Sequence, residues 1–255
     1  MTCASTQETV RITTGRKGVG SLPSLVLATY NVHGAIGRDG VFSPERVAAV
    51  LAEIGAGVVA LQEVQTGRTG RHLLHHVSEL LDAQAITGMT LTRKDAEFGN
   101  AILTRYPVLA VERMDLSVPP HEPRGALDVV VDCGAWQLRV LATHLGLWPY
   151  ERRRQVSRLL GALDARADLP TVLMGDVNEW FLWGRPVRWL HAQFQRTPAP
   201  ATFPSRRPLF ALDRLWVRPR RLLRKLDVHA SPLARVASDH LPLVATLAAS
   251  PCSAT

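Results

Sequence analysis

Several residue types that would settle the fold class cheaply are scarce or missing. Cysteine occurs only at Cys3, Cys133 and Cys252 and in no CxxC spacing, which excludes a disulfide framework and gives no support to a zinc site. No run approaches the ~20 consecutive apolar residues needed to span a bilayer, so a transmembrane helix is excluded. The first 24 residues hold no apolar core ahead of a small-residue cleavage site, so they read as a tail and not as a signal peptide. These absences point to a cytoplasmic protein. Lysine is nearly absent too: only Lys17, Lys94 and Lys225 occur among 30 basic residues.

Arginine therefore carries the charge. Set against 22 acidic residues it leaves a net charge of +8 and a pI near 10.2. A guanidinium pairs bidentately with phosphate, so this balance favours an anionic partner: phosphate, nucleic acid or an acidic lipid surface. The plain alternative is an arginine-rich surface with no such partner. With 46% apolar and 20% charged residues the composition is globular, and 255 residues lie near the upper size for a single hydrophobic core. No linker-like stretch divides the chain. We expect one domain over residues 25–248, between tails at 1–24 and 249–255.

Apolar periodicity gives the organisation. The run Leu25 to Tyr30 reads as a buried strand ending at Asn31, followed by a glycine-punctuated loop. Ser43 and Pro44 start a helix whose apolar positions Val47, Val50, Leu51 and Ile54 recur at helical spacing until Gly55. A second strand, Val58 to Gln62, ends at Glu63. Strand, helix, strand with short connections is a βαβ unit, so the two strands run parallel and bring Asn31 and Glu63 to one edge. The pattern recurs with the strand Trp136 to Thr143 running into His144, a helix from Glu151 to Ala165, and the strand Pro170 to Met174 running into Gly175, Asp176 and Asn178. Asn31 to Glu63 and His144 to Asp176 are each 32 positions apart, which suggests an internal duplication around a shared site. A further amphipathic helix is expected over Arg71 to Leu81, with strands at Asn100 to Arg105, Leu127 to Asp132, Ala211 to Val217 and Leu241 to Leu247.

Polar groups directly after buried strands are where an α/β sheet offers side chains to a ligand. Taken singly, Asn31 is a turn residue, Glu63 a solvated acid, His144 a satisfied strand-end histidine, and Asp176 with Asn178 an Asx-turn. Their joint occurrence, with Ser238, Asp239 and His240 before the last strand, argues for a site. The set contains carboxylates, amides and two histidines without a zinc-type cluster, a donor chemistry that suits Mg²⁺, with Mn²⁺ as a substitute. A carboxylate at Glu63 would hold a cation that polarises a phosphoryl oxygen. The histidines would supply proton transfer and a donor, with Asp213 orienting one of them.

These residues also carry a family resemblance. TYNVHG with Asn31, LQEV with Glu63, GNAILTR with Asn100, THL with His144, GDVNEW with Asp176 and Asn178, LDRLWV with Asp213 and SDHLPLVATL with Asp239 and His240 resemble the endonuclease/exonuclease/phosphatase superfamily, in the family's order. The resemblance spans about Leu25 to Leu247. It implies an α/β four-layer sandwich, two mixed sheets packed face to face and covered by helices, that hydrolyses phosphoester bonds with a divalent metal. By position it implies that Glu63 ligates Mg²⁺, with Asn31 and Asp239 on the metal or its waters. Asp176 and Asn178 would position water or phosphate, and His240 paired with Asp213 would be the general base, family members differing over whether Asp176 or His240 activates the water. His144 would contact the phosphate or protonate the leaving group, Asn100 would bind substrate, and Arg124 is a candidate phosphate ligand. The THL segment is unlike the tyrosine and Pro-Asn pattern of the abasic-site endonucleases and more similar to the deoxyribonuclease, sphingomyelinase and inositol-phosphatase branches.

The expected activity is a phosphodiesterase acting on a lipid head group or another small phosphodiester, with a deoxyribonuclease-like endonuclease on DNA or RNA as the alternative and a catalytically dead binding module as a third reading. Two segments remain open. The aromatics Trp180, Phe181, Trp183 and Trp189, with Trp148 and Tyr150, either bury themselves against the sheet edge or form an apolar rim that suits an anionic membrane surface, to which the protein would bind peripherally. The basic run Arg206 to Lys225 reads either as a phosphate-tracking patch or as the solvated face of a β-hairpin, the latter being favoured.

Overall fold

A computed structural model describes residues 24–67, 70–93, 96–163 and 166–248. The expected tails, apart from residue 24, and with them Cys3, Cys252 and Lys17, lie outside the described residues, as do Lys94 and Ala165. Among the described residues eleven strands form two sheets. The six-stranded sheet holds β1 (Leu25–Asn31), β2 (Val58–Gly67), β3 (Gln84–Arg93), β4 (Ala96–Thr104), β10 (Leu223–Val228) and β11 (Leu243–Leu247), in the order β10-β11-β1-β2-β4-β3. The five-stranded sheet runs in chain order, through β5 (Val108–Asp115), β6 (Gly125–Asp132), β7 (Gln137–His144), β8 (Thr171–Asp176) and β9 (Asp213–Arg218). Both sheets are mixed. β1 pairs parallel with β2 across helix α1 (Pro44–Ile54), and β7 pairs parallel with β8 across helix α3 (Pro149–Leu163), while the other pairings are antiparallel.

Strand alternation explains the layers. Leu25 and Leu27 of β1, Val58 and Ala60 of β2, Val129 of β6, Val140 of β7 and Val172 of β8 face the space between the sheets and form the central core. The alternate residues Ala28, Tyr30, Val59 and Leu61 face outward and are covered by α1, by α2 (Gly70–Leu81) and by the short α5 (Ala234–Ala237). On the other side Leu141, Leu173 and Trp216 pack against α3 and α4 (Arg185–Phe194). The result is the expected four-layer α/β sandwich. Strands such as β1, β7 and β8 are buried on both faces, which is why they read as continuous apolar runs.

Two expectations need correction. Glu63 does not follow the end of a strand: β2 continues to Gly67, and the ladder to β4 steps from Leu61↔Ala101 to Val64↔Gly99. Gln62 and Glu63 thus oppose the single residue Asn100, a β-bulge, with Glu63 at φ +55. A bulge bends the strand and re-aims a side chain, and here it turns Glu63 out of the ladder. The second correction concerns Arg206 to Lys225. β9 and β10 lie in different sheets, so they form no hairpin with each other; Arg206 and Arg207 sit instead in the turn closed by the antiparallel bridge Phe203↔Phe210, and Arg214 is buried, donating from Nε to the Ala211 carbonyl oxygen.

Candidate active site

The two sheets bring their strand ends together. In the five-stranded sheet, His144, Asp176 and Asp213 occupy one rung, since His144 pairs with Asp176 and Asp176 with Asp213. In the other, Asn31 ends β1 beside Gln62, and the bulge presents Glu63. The loop before β11 is fastened to the same edge by the Ser238 hydroxyl, which donates to the Asn31 carbonyl oxygen at 2.8 Å. The 32-residue spacing has its counterpart here: each parallel pair, with its helical crossover, delivers one polar residue per strand to a single cleft.

Asp176 Oδ2 is the centre of the arrangement. It accepts from Asn31 Nδ2 at 3.1 Å, and the Nε2 atoms of His144 and His240 stand 3.6 and 3.7 Å away. Its other oxygen accepts the Asn178 backbone N–H at 2.9 Å, so the Asx-turn and the site are the same structure. Gly175 permits this: at φ +148 a Cβ there would collide with the Thr143 carbonyl oxygen of the neighbouring strand. Backbone strain gathers around the cleft. Of the six described non-glycine residues at positive φ, four, His33, Ala35, Glu63 and Asn178, belong to segments around the cleft, and Asp82 and Gln195 lie elsewhere; each costs of order 1–3 kcal/mol that the surrounding packing must offset.

The histidines are in opposite charge states. His240 Nδ1–H donates to Asp213 Oδ2 at 2.8 Å, and the Thr202 hydroxyl donates to the same oxygen at 2.6 Å. Burial would lower the His240 pKa, but the charge and hydrogen bond of Asp213, with the charges of Asp176 and Asp239, outweigh it and hold the imidazole up to about 10. It is a cation at neutral pH. His144 is pushed down to about 3, first by burial and then by Arg124 and His240, against the pull of Asp176. Its ring nitrogens face the guanidinium of Arg124 at 3.2 Å and the amide nitrogen of Asn178 at 3.1 Å. Donors flank both nitrogens, so protonating the neutral ring would set a second N–H against a donor.

Glu63 is half-exposed and opens on the cleft, with Oε1 accepting from Asn31 Nδ2 at 2.9 Å. Asn31 thereby bridges two carboxylates through its nitrogen, while its oxygen accepts the His33 backbone N–H at 3.1 Å. In this arrangement Asn31 orients Glu63 and Asp176 and offers them no oxygen. Asp239 lies to one side, 3.7 Å from His33 Nδ1 and in contact with the Ser238 hydroxyl. Asn100 lines the cleft and is fixed by donating to the Gly125 carbonyl oxygen at 3.0 Å. Arg124 also lines it, with Nε buried and without a hydrogen-bond partner among the described residues.

The donor set fits a hard divalent cation. Glu63 and Asp176 are held by one amide, no thiol among the described residues is near, and one carboxylate is open to solvent. Asp176, Asp213 and His240 also offer ligand atoms within 4.8 Å of one another, but His240 and Asp213 are bonded to each other and buried, so they serve one another, and Glu63 is the carboxylate of the cleft that is open to solvent.

Sequence reasoning missed several contributors. Thr202 braces Asp213. Arg152 and Glu179 form a buried pair at 3.3 Å, joining the segment after His144 to the segment after Asn178. His33, Gln65, Thr90 and Phe98 line the cleft. His33 and Glu179 stood in the motifs TYNVHG and GDVNEW and Arg152 follows THL, while nothing local in the sequence marks Thr202.

Residues 28–240 match the Endonuclease/Exonuclease/phosphatase family. The chain belongs to that family. It is 30% identical over 251 residues to the uncharacterized protein YbhP of Escherichia coli K12, covering 88% of this chain and 96% of YbhP. A crystal structure of an endonuclease/exonuclease/phosphatase from Beutenbergia cavernae superposes with a TM-score of 0.75 at 25% identity, over 91% of this chain and 73% of that one. A mannosyl-6-phosphatase of Bacteroides thetaiotaomicron shares the fold, with a TM-score of 0.67 at 15% identity over 87% of this chain and 98% of that one. Members of the family are divalent-metal-dependent hydrolases of phosphoester bonds.

Proposed function

We propose that the protein is a Mg²⁺-dependent phosphodiesterase acting on a lipid head group or another small phosphodiester. The observation that carries this reading is the convergence of a cationic histidine, a neutral histidine and the Asn31 amide on Asp176 Oδ2, opposite the open Glu63, in one cleft. Its volume of about 370 Å³ suits a head group better than a duplex. Mn²⁺ would substitute through the same oxygen donors.

Glu63 would hold the metal, with Asn31 fixing its carboxylate; the bound cation would polarise the phosphoryl oxygen and offset its charge. His240, kept protonated by Asp213 and Thr202, then acts as a cation toward a non-bridging oxygen and not as the base. Asp176, a carboxylate at the centre of the cleft, accepts the proton of the attacking water. His144 is neutral and is suited to contact the phosphate, not to protonate a leaving group. Arg124, with its free Nε–H, binds a second phosphate oxygen, and Asn100 and Asn178 shape the pocket wall.

The net charge of +8 favours a second reading, a deoxyribonuclease-like nuclease. A substrate panel with Mg²⁺ tests both: plasmid DNA, sphingomyelin, phosphatidylinositol, inositol phosphates and a chromogenic phosphodiester. Turnover of a lipid or the chromogenic diester supports the first reading. Cleavage of DNA alone would replace it with the second, and silence on every substrate would remove both.

A further inference from the structure

The two site loops of the five-stranded sheet end in exposed apolar side chains. β7 and β8 are adjacent and parallel, so the segments leaving their C-terminal ends emerge at the same edge. After His144 comes Leu147, which lines the cleft, and then Trp148; both are exposed. After Asn178 come Trp180, Phe181, Leu182 and Trp183, all exposed, Trp183 at 70%. Trp180 packs edge-on against Phe203 and Phe210, and Phe203 lies against the His240 ring. The apolar surface is therefore continuous with the catalytic histidine. Leu209, beside Phe210, is 73% exposed.

Charge surrounds this surface. Arg206 and Arg207 are exposed between Phe203 and Leu209, and Arg185 and Arg188 are exposed just after Trp183. None of these four forms an ion pair among the described residues. Monomeric soluble proteins rarely expose contiguous aromatics in this way, and a patch of Trp, Phe and Leu ringed by unpaired arginine suits one environment in particular. In the interfacial layer of an anionic bilayer the indoles sit at head-group depth and guanidinium meets phosphate.

We infer that the loops 180–183 and 206–210 form a docking surface for an anionic membrane, holding the mouth of the cleft against the head groups. The inference rests on the lipid phosphodiesterase reading for its purpose but not for its test. Binding is measured by sedimentation with vesicles of phosphatidylcholine, with and without phosphatidylglycerol, in the presence of chelator so that no turnover intervenes. The wild-type chain should bind the phosphatidylglycerol vesicles and release them at high salt. The double variant Phe181→Ser, Trp183→Ser should bind at least about tenfold more weakly, and Arg206→Glu with Arg207→Glu should lose the preference for anionic lipid. Trp180 is left in place because it supports Phe203. Hydrolysis of a soluble chromogenic phosphodiester should stay within about twofold of wild type in both variants, since neither pair touches the cleft floor.

Absence of wild-type binding overturns the inference. So does equal loss on the soluble substrate, which would make the loops structural, and so does binding of single-stranded DNA that the Ser variant abolishes while vesicles go unbound. Vesicle binding without any phosphoester turnover would leave the docking surface standing and remove the proposed activity.

Discussion

At the scale of single residues, charge state decides what each group can do. Glu63, the proposed metal ligand, is held by an amide on one side and the bulge on the other, so Glu63→Gln should keep the fold, lose the charge and reduce turnover roughly 100-fold or more. Wild-type rates at submillimolar Mg²⁺ would show that the cation is held elsewhere. Asp213 works through His240. Asp213→Asn should lower kcat on the order of 100-fold, more than it raises KM, because the imidazolium loses its charge partner and orientation. The same pair predicts a pH signature in stability. The folded pKa of His240 is raised to about 10 from 6.5, so the folded protein holds a proton that the unfolded chain gives up. Its contribution is fully present below pH 6.5 and is lost as pH rises toward 10. With chelator present, the wild-type Tm should fall from pH 7 to pH 10, and Asp213→Asn should flatten that slope. Parallel slopes in the two proteins would sever the link.

At the scale of elements, the loops matter as much as the strands. Arg152, in the first turns of α3, pairs with Glu179 and also donates to the backbone oxygens of Gly146 and Leu147. It thereby locks the segment after β7 to the segment after β8, one carrying His144 and the other Asn178. Both partners are buried, so Arg152→Met leaves a buried carboxylate without its partner and should destabilise by about 3 kcal/mol, read as a lower urea midpoint at unchanged slope. A loss below about 0.5 kcal/mol, the size expected for an ordinary surface substitution, would mean that Arg214, whose charge also acts on Glu179, carries the contact. The strands that build the site were readable because burial on both faces makes them continuous apolar runs, and each is followed by polar residues. β3, β5 and β10 were not readable: β3 is mostly half-buried, β5 is half-exposed, and β10 is broken by Arg224 and Lys225. α4 was hidden behind its aromatics, which drew attention as a rim while Val187, Leu190 and Phe194 formed the helix's buried face. Asn31, Asp176 and His240 could be placed from strand ends alone, but the bulge that aims Glu63 depends on pairing with β4, and no local signal in β2 announces it.

At the scale of the molecule, the net charge of +8 has to be divided between structural and free arginines before it bears on substrate. Arg139 is spent in the core: buried, it binds Asp128 through two nitrogens and donates to the carbonyl oxygens of Ala162 and Leu163 at the end of α3. Arg152 and Arg214 are likewise buried. Those that remain exposed near the cleft, Arg185, Arg188, Arg206 and Arg207, stand beside apolar loops and do not form the uninterrupted basic track that follows a duplex. Salt dependence separates the two uses. An enzyme gripping several phosphates of DNA releases several counterions, and its affinity falls roughly a thousandfold between about 50 and 200 mM salt. A cleft that takes one phosphate against Arg124 and His240 has little to release. The rate on a soluble chromogenic phosphodiester at subsaturating concentration should therefore change by no more than about threefold over the same range, while sedimentation with anionic vesicles falls steeply, because only docking uses the exposed arginines. A steep fall on the small substrate would place those arginines inside the catalytic interaction, and a steep fall on duplex DNA accompanied by fast cleavage at low salt would make the protein a nuclease.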